Sequence, residues 1–107
     1  MRQYLYVFRG GYPPEEISPE EMQSHMEKWV SWMQKISAVG HPLHSEGKVV
    51  RNGGDVITDG PFTEGKEIVG GYVTLPANDM DHATEISKEC PIFEWGGFVE
   101  VREISEI

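Results

Sequence analysis

Apolar residues in the first third of the chain follow two different patterns. Residues 4–8 are consecutive aromatic and branched side chains, closed by Gly10, and such a run predicts a β-strand with both faces apolar. Ser18 then begins a predicted helix, because Glu21 three residues later completes a capping box. Apolar side chains follow at spacings of three and four, which predicts one buried stripe on this helix: Met22, Met26, Trp29, Met33 and Ile36.

The middle of the chain predicts a hairpin and a long strand. Gly40 and Pro42 end the first helix. Residues 46–51 and 55–58 are short strand-like runs joined by an Asn-Gly turn, the strongest local signal for a β-hairpin. Residues 68–75 form the longest strand candidate and contain a glycine pair. That pair indicates a bend, a bulge or a ligand lying against bare backbone, and a bend is the favoured interpretation.

The last third of the chain predicts a second helix and a final strand. The helix begins at residues 76–79, carries apolar residues spaced by three and four as far as Cys90, and ends at Pro91. Residues 98–104 form the last strand. The order strand, helix, hairpin, strand, helix, strand predicts a single α+β domain over residues 1–107. Its expected architecture is a ferredoxin-like βαββαβ antiparallel sheet with two helices on one face and an extra hairpin strand.

Composition excludes several classes of function. The chain carries 18 acidic and 9 basic residues, a formal net charge of -9, which argues against nucleic-acid binding and against an anionic membrane surface. Its longest apolar run is far shorter than the roughly 20 residues that a bilayer requires, and no secretory signal pattern is visible. Cys90 is the only cysteine. A lone cysteine fits a reducing compartment, so we expect a cytoplasmic location.

His25 is the histidine that the helical pattern places beside the predicted core. Histidine side chains titrate near neutral pH, so His25 suits a general acid or base that is steered by a carboxylate. Asp59 stands before Gly60 and Pro61 at a strand end, and it is the carboxylate that we expect to pair with His25. The alternatives are a boundary histidine packed against indole and an Asp59 side chain that caps its own turn.

Three further residues are candidates for ligand binding. Arg9 follows the first strand, where its cation would hold an anionic substrate group or form a salt bridge to an acidic neighbour. Trp29 and Phe62 would wall a small cavity. His41 and His44 flank a helix-breaking proline and have no further ligands at a recognisable spacing, so no metal site is expected. No motif implies an organic cofactor.

Several short motifs occur in order along the chain. Ser18-Pro-Glu-Glu-Met is followed by Asp59-Gly-Pro-Phe, by Thr63-Glu-Gly-Lys-Glu with Gly70-Gly-Tyr, and by Cys90-Pro-Ile-Phe-Glu. This set resembles the DGPF-domain branch of the YCII-related family of small bacterial proteins. The resemblance implies a ferredoxin-like domain that pairs into a dimeric α/β barrel. It also implies an active site in which a helix histidine, here His25, pairs with an acidic residue.

Two functions remain open from the sequence. One is an enzyme in which His25, steered by Asp59, moves a proton on a small organic substrate. The other is a non-catalytic small-molecule-binding or regulatory dimer that uses the same cavity. The apolar first strand favours a homodimer, because a sheet with both helices on one face leaves its other apolar face uncovered.

Overall fold

The computed structural model describes residues 1–51, 53–59 and 68–106. None of the helices in these ranges is long and apolar enough to cross a membrane. The elements are, in chain order, β1 (Arg2–Arg9), α1 (Pro19–Lys35), β2 (Val39–Pro42), β3 (Lys48–Arg51), β4 (Asp55–Asp59), β5 (Val69–Ala77), α2 (Met80–Ser87), a 3₁₀-helix (Pro91–Trp95) and β6 (Phe98–Glu103).

Four strands form one antiparallel sheet in the order β2-β5-β1-β6. Both helices cover the same face of this sheet, as the contacts of one β1 residue demonstrate. The Trp32 ring of α1 stacks on the Tyr6 ring at 6.0 Å, and the Tyr6 hydroxyl donates a hydrogen bond to the Ala83 carbonyl of α2. The predicted α+β class, with two helices and an antiparallel sheet, is confirmed in this form.

β2 is a strand that the sequence pattern missed. The pattern predicted the hairpin as part of the main sheet, whereas β2 takes the edge position beside β5 and the hairpin forms a two-stranded sheet of its own. Gly40 permits the close approach of β2, because a Cβ at this position would lie 2.0 Å from the Tyr72 carbonyl oxygen. Pro42 is tolerated because β2 is an edge strand that needs few backbone donors.

The predicted hairpin is present as β3 and β4. Lys48 pairs with Asp59 at its open end, and the register shifts between Val49 and Val50. Gly53 and Gly54 in the turn have φ angles of 79° and 89°, which glycine adopts without steric cost. The hairpin prediction is therefore confirmed, but its place as an extra strand of the main sheet was wrong.

The start of α1 follows the sequence prediction, and its buried face does not. The Ser18 side chain accepts a hydrogen bond from the Glu21 amide at 3.1 Å, as a capping residue does. The buried residues of α1 are His25 and Trp32, whereas Met26 of the predicted stripe is 50% exposed. The helix is rotated because its two large indoles pack against the aromatic rings of β1. This rotation carries His25 inward and leaves the methionine edge of the stripe beside a cleft.

Candidate functional site

A cleft lies between α1 and the end of the sheet where β1, β2 and β5 meet. Its volume is about 360 Å³, which falls within the range of small-molecule sites. The described lining is mainly aromatic, aliphatic and glycine, and it includes Phe8, Met26, Trp29, Met33, Gly71 and Trp95. No Asp, Glu, Lys or Arg occurs in this described lining. Among the described residues, the side chains of the lining that carry a ring nitrogen are His25, Trp29, His41 and Trp95.

A bulge in β5 shapes the floor of the cleft. Phe8 pairs with Gly71, but Arg9 pairs with Val69, so Gly70 is the extra residue on β5. Gly71 and Val73 lie two residues apart on β5, so both face the helices. The Val73 side chain fills the core, whereas Gly71 has no side chain to do so. Because two residues without side chains occupy this strand end, the space beneath α1 stays unfilled. The glycine pair in the sequence thus marks a bulge, one of the alternatives that were left open.

His25 is buried in the wall of the cleft, with 3% of its surface exposed. Trp29, one helical turn later, donates a hydrogen bond from its indole Nε1 to His25 Nε2 over 2.9 Å. An indole nitrogen only donates, so Nε2 must be an unprotonated acceptor. The His25 ring is therefore neutral in this arrangement, with its proton on Nδ1.

Glu94 provides the carboxylate that meets the other ring nitrogen of His25. Its Oε2 lies 3.4 Å from His25 Nδ1, and its Oε1 accepts a hydrogen bond from Lys28 Nζ at 3.0 Å. The hydrogen bond and the charge of Lys28, with a smaller contribution from His25, lower the pKa of the Glu94 carboxyl below its usual value. This carboxylate favours the Nδ1–H tautomer of His25 from outside the cleft lining, while Lys28 balances its charge.

The 3₁₀-helix holds both Glu94 and Trp95 against α1. Pro91 and Ile92 are buried and anchor it, and Gly96 ends it in the left-handed conformation with φ of 73°. The Trp95 ring stacks on the His25 ring with centroids 3.5 Å apart and planes 15° apart. The imidazole is consequently held by one stacking contact and two hydrogen-bond contacts. A side chain held in this way is set in one orientation.

The structure brings two of the predicted site residues together and places a third elsewhere. His25 and Trp29 share the cleft wall. Arg9 forms a salt bridge with Glu100 of β6 at 3.2 Å and is not part of the described lining. The salt bridge was the alternative that the sequence left open for it.

The remaining two predicted residues fall at the limit of the described chain. Asp59 is the last residue of β4, and its side chain lies outside the described residues, as does Phe62. The predicted pairing of His25 with Asp59 and the predicted wall formed by Phe62 therefore stay predictions. Among the described side chains, the carboxylate contact of His25 is Glu94.

The sequence pattern did not predict the contact between Glu94 and His25. The two residues are 69 positions apart, and no local pattern carries information about such a contact. Trp95, the residue after Glu94, lines the cleft and was not among the predicted ligand-binding residues.

Cys90 is buried with 3% exposure and forms no disulfide. Burial raises the pKa of its thiol to about 12. A thiol that stays protonated at neutral pH is a poor nucleophile. Cys90 is thus a core residue, as the helical spacing predicted.

The sequence predicted no metal site at His41 and His44. His41 lies in β2, with its ring centroid 6.5 Å from that of Tyr72. Within the described ranges, no three His, Cys, Asp or Glu side chains are grouped to hold a metal ion.

The fold and the cleft define a small α+β domain with a ligand-sized site between its first helix and its sheet. A family model described as the YCII-related domain matches residues 5–107. The chain therefore belongs to the YCII-related family, which confirms the resemblance at the level of the family. No curated protein matches the chain significantly.

Proposed function

We propose that this YCII-related domain binds a small organic molecule in the cleft between α1 and the sheet. The observation that carries the proposal is an apolar cleft of about 360 Å³ with a buried histidine in its wall. Binding sites combine predominantly apolar walls with a few fixed polar groups that orient the ligand. His25 and the Trp29 indole are such groups, held by their contacts with each other and with Glu94.

The indole N–H signals of the three tryptophans test this proposal. Trp29 and Trp95 line the cleft, whereas Trp32 is in the core. Ring compounds such as 2-naphthol, added at millimolar concentration, are expected to shift the ¹H–¹⁵N signals of Trp29 and Trp95 while Trp32 changes little. If ring compounds leave the first two signals in place, or if all three tryptophans shift alike, the cleft is not the binding site.

A second candidate is an enzyme that uses His25 for acid–base chemistry. The contact between Glu94 Oε2 and His25 Nδ1 favours it, because a carboxylate on one imidazole nitrogen prepares the other for proton transfer. Nε2 is occupied by the Trp29 indole, so catalysis requires that a substrate displace this hydrogen bond. Asp59 remains a second candidate carboxylate, and Arg9 and Phe62 remain candidate ligand-binding residues.

The variants Glu94→Gln and Asp59→Asn separate the two carboxylates. The imidazole ¹⁵N shifts of His25 are expected to respond to Glu94→Gln and not to Asp59→Asn, if Glu94 alone holds the ring. A response to Asp59→Asn would instead support the catalytic pair expected from the sequence. A Tyr4→Phe variant, which removes a hydroxyl that donates to Glu103 of β6, serves as the control for nonspecific change.

We also propose that the protein is a homodimer that closes a barrel through the uncovered sheet face. Val39 on β2, Tyr72 on β5 and Phe98 on β6 are 69%, 37% and 41% exposed, and strand alternation and register put them on the face away from the helices. Exposed apolar residues on one face favour association. The strand order β2-β5-β1-β6 is compatible with a ferredoxin-like plan, the fold that such a barrel requires.

Light scattering tests the dimer. The expected mass is twice that of the chain, and the double variant Val39→Glu with Phe98→Glu is expected to halve it. Gln34→Glu, on an exposed helix position, is the control for the addition of a negative charge away from this face. A wild-type protein that scatters as a monomer would contradict this proposal.

Two further statements are also proposals. Membership in the DGPF branch is supported by the Asp59-Gly-Pro-Phe motif. A cytoplasmic location is supported by the unpaired cysteine.

A further inference from the structure

We infer that the cleft selects uncharged ring compounds and rejects both anions and cations of the same shape. This inference rests on the proposed function, since it specifies the class of ligand that the same cleft takes. It depends on three features of the described residues: the absence of charged side chains from the lining, the neutral state of His25 and the flat aromatic walls.

The first feature is the absence of charge from the described lining. The lining contains no Asp, Glu, Lys or Arg. Glu94, which contacts His25, forms an ion pair with Lys28 at 3.0 Å, and neither side chain lines the cleft. A ligand charge moved from water into such surroundings loses its hydration and gains no partner, which is unfavourable for either sign.

The second feature is the state of His25. Because Nε2 accepts the Trp29 N–H and Nδ1 faces Glu94, the imidazole brings neither a positive charge nor a free acceptor to the cleft. An anionic ligand therefore finds no imidazolium at His25, and a cationic ligand finds no carboxylate in the described lining. His41, the other histidine of that lining, pairs with Tyr72, which lies on the sheet face away from the helices. The candidate cation from the sequence, Arg9, is held by Glu100 away from the described lining.

The third feature is the shape of the apolar surface. Trp29 packs edge-on against Phe8 at 4.9 Å, and Trp95 adds a second indole to the wall. Flat ring systems make large contacts with aromatic walls at little entropic cost. Met26 and Met33 on the α1 side are flexible and adjust to rings of different outline. The walls thus favour ring compounds without fixing one of them.

Three probes of one shape test the inference: 2-naphthol, which is neutral at pH 7, the anion 2-naphthoate and the cation 2-naphthylmethylammonium. Each is titrated into the wild-type protein in 0.15 M salt, and binding is followed by the indole N–H signals of Trp29 and Trp95. We expect 2-naphthol to bind at least about tenfold more tightly than either ion, because each ion must shed its hydration. The cation is the decisive probe, since a protein of net charge -9 attracts it from solution.

The outcomes distinguish the two proposals. If either ion binds as tightly as 2-naphthol, the selectivity inferred here is wrong while the cleft remains a binding site. If none of the three probes shifts the Trp29 and Trp95 signals, the proposed function fails and the inference fails with it.

A charge added to the cleft provides the second measurement. Met26 lines the cleft and is half exposed, so Met26→Lys adds a cation at the lining without burying it. We expect the affinity for 2-naphthoate, expressed relative to that for 2-naphthol, to rise about tenfold in this variant compared with the wild type. Gln34→Lys, with the same charge on an exposed position of α1 outside the described lining, should leave both affinities unchanged. If both variants gained the same affinity for 2-naphthoate, the effect would come from net charge and not from the cleft, and the inference would be wrong.

Discussion

The indole N–H of Trp29 donates a hydrogen bond to Nε2 of His25, one helical turn earlier on α1. This relationship determines what the buried imidazole can do. A histidine whose Nε2 faced open space would be ready to accept a proton from a substrate, whereas His25 already uses that lone pair. Proton transfer at Nε2 therefore requires that the indole move.

Replacing Trp29 by Phe tests this hydrogen bond. Without the indole donor, His25 no longer has to keep Nε2 unprotonated, so we expect a mixture of tautomers where the wild type has only Nδ1–H. Long-range ¹H–¹⁵N spectra of the imidazole report the two states. Stability should also fall by about 1–3 kcal/mol, from the lost hydrogen bond and the space left by the indole.

Trp32→Phe is the matched control for the Trp29 variant. It removes an indole of the same size from the same helix, but the Trp32 N–H has no hydrogen-bond partner among the described residues. The control is expected to lower stability and to leave the His25 tautomer as it is. A wild-type spectrum with a proton on Nε2 would contradict the arrangement directly.

Glu94→Gln tests the charge behind His25 through the pH dependence of stability. The pKa of Glu94 is lowered in the folded state, first by the hydrogen bond from Lys28. A lowered pKa stabilises the fold fully above the pH where an unfolded glutamate titrates, about 4.3, and the stabilisation is lost as the pH falls through the folded value. The difference in free energy of unfolding between wild type and Glu94→Gln should thus be constant near neutral pH and shrink below about pH 4.

Glu89→Gln is the comparison for this titration. Its carboxylate contacts Lys35 at 3.0 Å on an exposed surface, without a histidine nearby among the contacts described. Urea unfolding of the three proteins between about pH 3 and pH 7 gives the differences in free energy of unfolding. A Glu94→Gln difference that grew as the pH fell would have the wrong sign for a lowered pKa.

Gly40→Ala tests the close approach of β2 to β5. The added Cβ would lie 2.0 Å from the Tyr72 carbonyl oxygen and 2.5 Å from the Val73 Cα, and backbone atoms cannot yield as a flexible side chain does. We expect a loss of about 1–3 kcal/mol or more in the free energy of unfolding. Because β2 forms one edge of the cleft, probe binding should weaken as well. Urea midpoints and the naphthol titration measure the two effects.

Gly70→Ala is the matched substitution on the neighbouring strand. The contact of a Cβ there is Phe8 O at 3.8 Å, an ordinary distance, and its φ is not among the positive values. Stability should change by less than about 1 kcal/mol in either direction. Similar losses in both glycine variants would mean that the space around Gly40 is not what limits substitution.

The sequence predicted those features that local residues determine. The Ser18 cap depends on Glu21, three positions away. The turn at Gly53 and Gly54 depends on the backbone freedom of glycine. The bulge in β5 depends on the missing side chains of its glycine pair. Each of these was anticipated in place or among stated alternatives. The family resemblance added the family itself.

Features that depend on distant partners were missed. Gly40 and Pro42 of β2 are of residue types that are depleted in strands, and β5 imposes the extended backbone by pairing with this segment. The inward position of His25 follows from the rotation of α1 on the rings of β1, which spacing along one helix does not contain. Glu94 reaches His25 only because the 3₁₀-helix packs on α1.

The burial of Cys90 leads to the last prediction, on thiol reactivity. Burial raises its pKa to about 12, so at pH 8 the folded protein contains very little thiolate and shields the sulfur from reagents. We expect the native thiol to react with 5,5′-dithiobis(2-nitrobenzoate) roughly a thousandfold more slowly than the same thiol in urea at the same pH. Cys90→Ser gives the background. Comparable rates in folded and unfolded protein would mean that the Cys90 thiol is accessible and ionised in the folded state.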